Sequence, residues 1–174
     1  MPNAVIVVDM LRGFFEEAYP LYVGEKACGI IPHIQRLLER ELAQGSKVFF
    51  IGDQHDPDDL EFRIYPPHCV AGSVESEVIP ELADYPGEII PKKRYSGFFD
   101  TRLEEKLKQL QPDKLIICGV ATNICVLYTV VDARNRDYDV EVPVDCVASL
   151  NEAAHSFALE HMAKVLGARL TTIV

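Results

Sequence analysis

Short apolar runs alternate with longer amphipathic stretches along most of the chain. Residues 4–9, 47–52, 87–91, 114–119, 140–144 and 169–173 are brief, dominated by Val, Ile and Phe, and bounded by Gly, Pro or Asp, which predicts six strands. Between several of them apolar residues recur near helical spacing. Residues 29–43 place Ile30, Ile34, Leu37, Leu38 and Leu42 on one face, and residues 101–110, 122–137 and 151–166 behave similarly. Gly45 and Gly167 stand just past two of these helices, where a left-handed cap is cheapest for glycine. Strands alternating with helices predict an α/β fold of three layers, α/β/α, around a mainly parallel sheet of roughly six strands.

With 174 residues the chain fits one domain, residues 1–174, with enough length to bury a substantial core. Its hydrophobic content of 48% against 25% charged residues excludes a disordered chain. A net charge of −10 repels phosphate backbones, and no basic cluster exceeds Lys92-Lys93-Arg94, so nucleic acid is excluded as a partner. No apolar run reaches the roughly 18 residues needed to span a bilayer, so no membrane partner is expected. The first apolar run is too short for a signal peptide core. Five cysteines, odd in number and scattered, predict reduced thiols and hence a cytoplasmic protein.

Candidate chemistry gathers where the strands end. In an open parallel sheet ligands bind beyond the carboxyl ends of the strands. Asp9 closes the first strand, Asp53 and His55 follow the second, Lys92 follows the third, and Cys125 follows the fourth in the run Cys118-Gly119-Val120-Ala121-Thr122-Asn123-Ile124-Cys125. A thiol in the first turn of a helix is drawn towards the nucleophilic thiolate by the helix N-terminus, whereas a buried structural cysteine is the plainer alternative. Asp9 reads as a general base or as a turn cap, and Lys92 as a partner for both anions or as an exposed charge. Residues 53–80, rich in Asp, Pro, His and Gly, form a long excursion of the functional kind. Within it Asp53, His55, Glu61 and His68 combine imidazoles and carboxylates that suit Zn²⁺, Fe²⁺ or Mn²⁺, or else make a polar loop. Cys69 and Cys118 read as packing, and His33, His155 and His161 as solvated or capped helix residues.

Taken in order, Val7-Val8-Asp9-Met10 with Phe14, Asp53-x-His55, Pro66-Pro67-His68-Cys69-Val70, Lys92-x-x-Tyr95-Ser96-Gly97-Phe98 and Gly119-Val120-Ala121-Thr122-Asn123-x-Cys125 resemble the cysteine hydrolases of the isochorismatase-like superfamily, and within it the nicotinamidases. The resemblance covers nearly the whole chain. It implies that Asp9, Lys92 and Cys125 are catalytic, that the Val120–Ala121 peptide is cis, and that the backbone N–H groups of Ala121 and Cys125 form an oxyanion hole. It implies a divalent metal, zinc before iron or manganese, on Asp53, His55 and His68. Glu61 takes the place of a further histidine that many relatives have. Phe14, Tyr65 and Tyr95 match the aromatic walls of a pyridine pocket. The implied reaction converts nicotinamide to nicotinate and ammonia through a thioester, as a step of NAD salvage, in a homo-oligomeric enzyme that also takes pyrazinamide. The alternative within the superfamily is an amidohydrolase of carbamoyl, ureido or other small amides.

Overall fold

The central strands are apolar at every position, and the structure, a computed structural model describing residues 2–173, buries them on both faces. Among the described residues seven strands form one sheet: β1 (Ala4–Val8), β2 (Lys47–Asp53), β3 (Glu88–Lys92), β4 (Leu115–Val120), β5 (Val140–Pro143), β6 (Val147–Ala148) and β7 (Arg169–Thr171). All pairings are parallel, in the order β3-β2-β1-β4-β5-β7, with β6 set beside the end of β4. The helices are α1 (Arg12–Phe15), α2 (Ile31–Ala43), α3 (Pro80–Ala83), α4 (Leu103–Leu110), α5 (Leu127–Asn135) and α6 (Glu152–Lys164).

Alternation along the strands divides the core. Ala4, Ile6 and Val8 of β1, with Phe49, Ile51, Leu115 and Ile117, meet Leu103 and Leu107 of α4, Val130 of α5, and Ala158 and Met162 of α6. Val5 and Val7, with Phe50, Ile116 and Cys118, meet Ile34, Leu37 and Leu38 of α2 and Leu82 of α3. Successive side chains point to opposite faces of a strand, so one apolar run serves both helical layers. The three-layer architecture is the one the hydrophobic pattern predicts. Pro32 in the first turn of α2 removes no internal hydrogen bond there. Asn151 caps α6 by accepting from the Ala154 N–H at 3.0 Å.

Several boundaries differ from the sequence reading. The seventh strand, β6, is two residues long and too short for a periodicity to register. The helix expected from residue 29 begins as a 3-10 turn over Lys26–Ile30 before α2. The helix expected from residue 122 opens as a π turn, Thr122–Val126, before α5 takes over. Most of the 53–80 excursion carries only two 3-10 turns, Leu60–Arg63 and Val74–Ser76, before α3 begins at Pro80. No helix of the described residues is long and apolar enough to cross a membrane.

Candidate active site

The carboxyl ends of four adjacent strands deliver the reactive groups. Asp9 follows β1 with a left-handed φ of 52°, Asp53 is the last residue of β2, Lys92 the last of β3, and the π turn bearing Cys125 follows β4. The peptide Val120–Ala121 is cis. Gly119 has φ +114°, and a Cβ there would lie 2.0 Å from the Val8 carbonyl oxygen, so only glycine lets β4 pass this close to β1.

Lys92 is 1% exposed, and its ammonium is fully surrounded. It donates to Asp53 Oδ1 at 2.5 Å, to the Arg94 carbonyl at 2.9 Å and to Cys125 Sγ at 3.4 Å, and lies 3.1 Å from Asp9 Oδ2. Asp9 Oδ1 accepts from the Asp53 N–H at 3.0 Å. Its Oδ2 makes no hydrogen bond and faces the Lys92 ammonium, and the carboxyl group lies beside the Cys125 thiol. The structure thus brings Asp9, Lys92 and Cys125 into one buried cluster.

The charges of this cluster set one another. Burial and the neighbouring Asp53 anion push Asp9 up to about 6, against the attraction of Lys92. Burial would raise Asp53 as well, but Lys92, His55 and His68 hold it well below the usual carboxylate range. Burial opposes the charge on Lys92, and Asp53 and Asp9 more than restore it. For Cys125 burial and the Asp9 charge push the thiol well up, only partly offset by Lys92. Enclosure thus works against the thiolate that the helix start was expected to favour, which is the setting in which the general base expected at Asp9 is needed.

Beside this cluster, Asp53, His55, Glu61 and His68 each present one ligand atom, all within 4.8 Å of one another. Glu61 Oε2 stands 3.2 Å from His55 Nε2 and 3.6 Å from His68 Nε2, and Asp53 Oδ2 stands 3.4 and 3.6 Å from the same atoms. The outer nitrogens are already engaged: His55 Nδ1 bonds to Asp59 Oδ2 at 2.9 Å, and His68 Nδ1 to the Pro66 carbonyl at 2.9 Å. Both imidazoles therefore turn Nε2 inward, and that of His55 is buried without a hydrogen-bond partner. Burial opposes a charge on His55, but the carboxylates of Asp53, Glu61 and Asp59 around its ring raise it to about 10. A pocket that demands positive charge, lined by two imidazoles and two carboxylates with fixed outer shells, fits a divalent cation.

Both groups open on one cavity of about 330 Å³, where Phe14, Tyr65 and Tyr95 stand on the wall with Cys125, Ala121, Asp53, Glu61 and His68. Phe14 lies 5.8 Å and Tyr65 6.2 Å from the His68 ring, and Tyr95 stacks on Tyr128 at 5.6 Å. A second cavity of about 510 Å³ beside β3, lined by Met10, Phe50, Ser73 and Tyr85, holds none of these reactive groups. The sequence reading missed much of the wall, including Leu21, Tyr22, Asn123 and Leu150. It also missed Asp59, which binds His55, accepts from Arg94 at 2.9 Å and caps its own turn through the Glu61 N–H. One signal was available, the density of Asp after His55, but nothing distinguishes Asp59 from Asp56 or Asp58 without the fold. His155, expected to be solvated or capped, instead meets the buried hydroxyl of Thr122 at 2.7 Å, because α6 packs against the π turn.

An isochorismatase domain is matched over residues 3–173. Among solved structures the chain is similar to nicotinamidase PncA from Bacillus subtilis, at 34% identity over 98% of this chain and 99% of that one, with a TM-score of 0.92. It is similar to the pyrazinamidase of Pyrococcus horikoshii in complex with zinc, at 30% identity over 99% of each chain and a TM-score of 0.90. N-carbamoylsarcosine amidase from Thermoplasma acidophilum aligns at 30% identity over 99% of this chain and 97% of that one, also at 0.90. With its reactive strand ends, its sheet order and this match along nearly its whole length, the chain belongs to the isochorismatase family of hydrolases.

Proposed function

We propose that the protein is a metal-dependent nicotinamidase, in which Cys125 is the nucleophile, Asp9 the proton carrier and Lys92 the cation that holds both in place. The observation that carries this reading is the opening of a thiol and a four-ligand metal cluster onto one aromatic-walled cavity of about 330 Å³. Asp53, His55, Glu61 and His68 would hold the metal, with zinc first among zinc, iron and manganese. When bound, it supplies a Lewis-acidic anchor for the ring nitrogen of the substrate. Phe14, Tyr65 and Tyr95 flank the flat ring, with stacking and burial contributing on the order of 1 kcal/mol per ring pair.

The steps then belong to the protein's own residues. Asp9 Oδ2 takes the proton from Sγ as sulfur attacks the carboxamide carbon, and Lys92 stabilises the developing thiolate. The N–H groups of Ala121 and Cys125 receive the oxyanion. Collapse breaks the C–N bond, and Asp9 returns the proton to the departing ammonia. Water attacks the thioester, giving its proton to Asp9, and as the C–S bond breaks to release nicotinate, Asp9 returns that proton to Cys125 Sγ. That product would enter NAD salvage. An amidohydrolase of carbamoyl or ureido compounds is the competing reading, supported by the likeness to the carbamoylsarcosine enzyme. It gives the inward-facing histidines no task.

Ammonia release from nicotinamide, measured before chelation, after it, and after metal is restored, tests the proposal. Activity that disappears and returns with the metal is expected, and Cys125→Ala should lower it by on the order of 10³-fold or more. A folded, metal-loaded protein that releases no ammonia from nicotinamide would refute the substrate.

A further inference from the structure

We propose that Thr129 is a positioning residue for the Cys125 thiol, tying the turn that carries the sulfur to the loop that follows Lys92. It rests on the reading of Cys125 as nucleophile. Thr129 lies in the first turn of α5 and is 0% exposed. Its hydroxyl donates to the Cys125 carbonyl at 2.7 Å and accepts from the Gly97 N–H at 3.0 Å. Donor and acceptor are thus both committed, so one hydroxyl fixes the spacing between two chain segments that β3 and β4 deliver separately.

The loop it reaches matters for the site. Lys92 Nζ donates both to the Arg94 carbonyl in that loop, at 2.9 Å, and to Cys125 Sγ, at 3.4 Å. Tyr95, in the same loop, stands on the cavity wall. Gly97 lets the loop come close: a Cβ there would lie 3.1 Å from Ile51 Cγ2 and 3.5 Å from Thr129 Oγ1. A helical threonine often bonds the carbonyl four residues back, but here the same oxygen also accepts from Gly97, which turns a local bond into a tie between two segments. Without the hydroxyl, the ammonium-to-sulfur distance loses a restraint on both sides. Thr129 does not line the cavity and its hydrogen bonds go to backbone groups, so it acts through the turn that carries Cys125.

Thr129→Val keeps the shape and removes both hydrogen bonds, and Thr129→Ser restores the hydroxyl. Two readouts apply to metal-loaded protein: steady-state ammonia release from nicotinamide, and the rate of Cys125 alkylation by iodoacetamide followed by peptide mass spectrometry. For Thr129→Val we expect kcat to fall about tenfold or more with KM and metal content unchanged, and alkylation to slow in parallel. Thr129→Ser should recover both to within about threefold. If Thr129→Val does not fold, Thr129→Ala provides the same comparison without the added methyl group. Wild-type kcat and alkylation rate in a folded valine or alanine variant overturn the proposal, as does a serine variant as impaired as valine. The alkylation arm reads the thiol whatever amide is hydrolysed, so a wild-type protein inactive on nicotinamide but alkylated rapidly at Cys125 counts against the substrate and not against Thr129.

Discussion

At the scale of single residues, the site is governed by what burial does to charge. Lys92 is enclosed, and it persists as an ammonium because Asp53 and Asp9 stand within 3.1 Å of it. Removing one partner of a buried pair leaves the other uncompensated, at a cost of about 3–5 kcal/mol. Lys92→Ala is therefore expected to lower the melting temperature clearly and to abolish turnover, and a variant that melts with the wild type would contradict the buried-pair description. The same enclosure pushes the Cys125 thiol up, and under the proposed mechanism that is what calls for Asp9 as a base. The identities of Asp9, Lys92 and Cys125 were legible as candidates from their places after three apolar runs. Their mutual distances were not, since each residue had a plain alternative that only proximity removes.

At the scale of elements, strand ends and turns decide which side chains meet. Gly119 is required where β4 crosses close to β1, and Gly119→Ala should leave little soluble folded protein, because its Cβ would overlap the Val8 backbone. Soluble expression and a cooperative melt like the wild type's would count against that reading. The loop from Asp53 to His68 gathers the four residues of the candidate metal site, and Asp59 within it holds His55 from behind while pairing with Arg94. Outer-shell partners of metal ligands typically contribute 10–100-fold to affinity, so Asp59→Asn should weaken metal binding by about that factor in a chelator competition. Unchanged affinity would show that His55 needs no such support. The histidine spacing was visible in the sequence. The role of Asp59 was not, because its partners come from positions four residues before it and thirty-five after.

At the scale of the whole molecule, a parallel sheet collects contributions from distant sequence into one rim and knits its far edge by charge. Glu141 on β5 accepts from Lys114 at 2.6 Å, from Arg169 at 2.9 Å and from Thr171 at 3.2 Å. Burial alone would raise this carboxyl, but those partners hold it below its ordinary 4.5. A depressed folded-state value stabilises the protein above the unfolded value, and this contribution is lost as pH falls through the folded value. Glu141→Gln should thus cost about 1 kcal/mol near neutrality, allowing for solvent around Lys114 and Arg169, and its deficit relative to wild type should shrink below pH 4.5. A deficit independent of pH would assign the loss to packing instead. The sequence by itself determined the alternation of strands and helices, the apolar centre of the sheet and the set of residue types at the strand ends, because periodicity and composition are local properties of a chain. Tertiary structure alone decided that Arg94 reaches Asp59 behind His55, that α6 sends His155 to Thr122, and that a π turn presents Cys125 to Lys92. Those are contacts between segments tens of residues apart, fixed by sheet register and helix packing rather than by any neighbouring sequence.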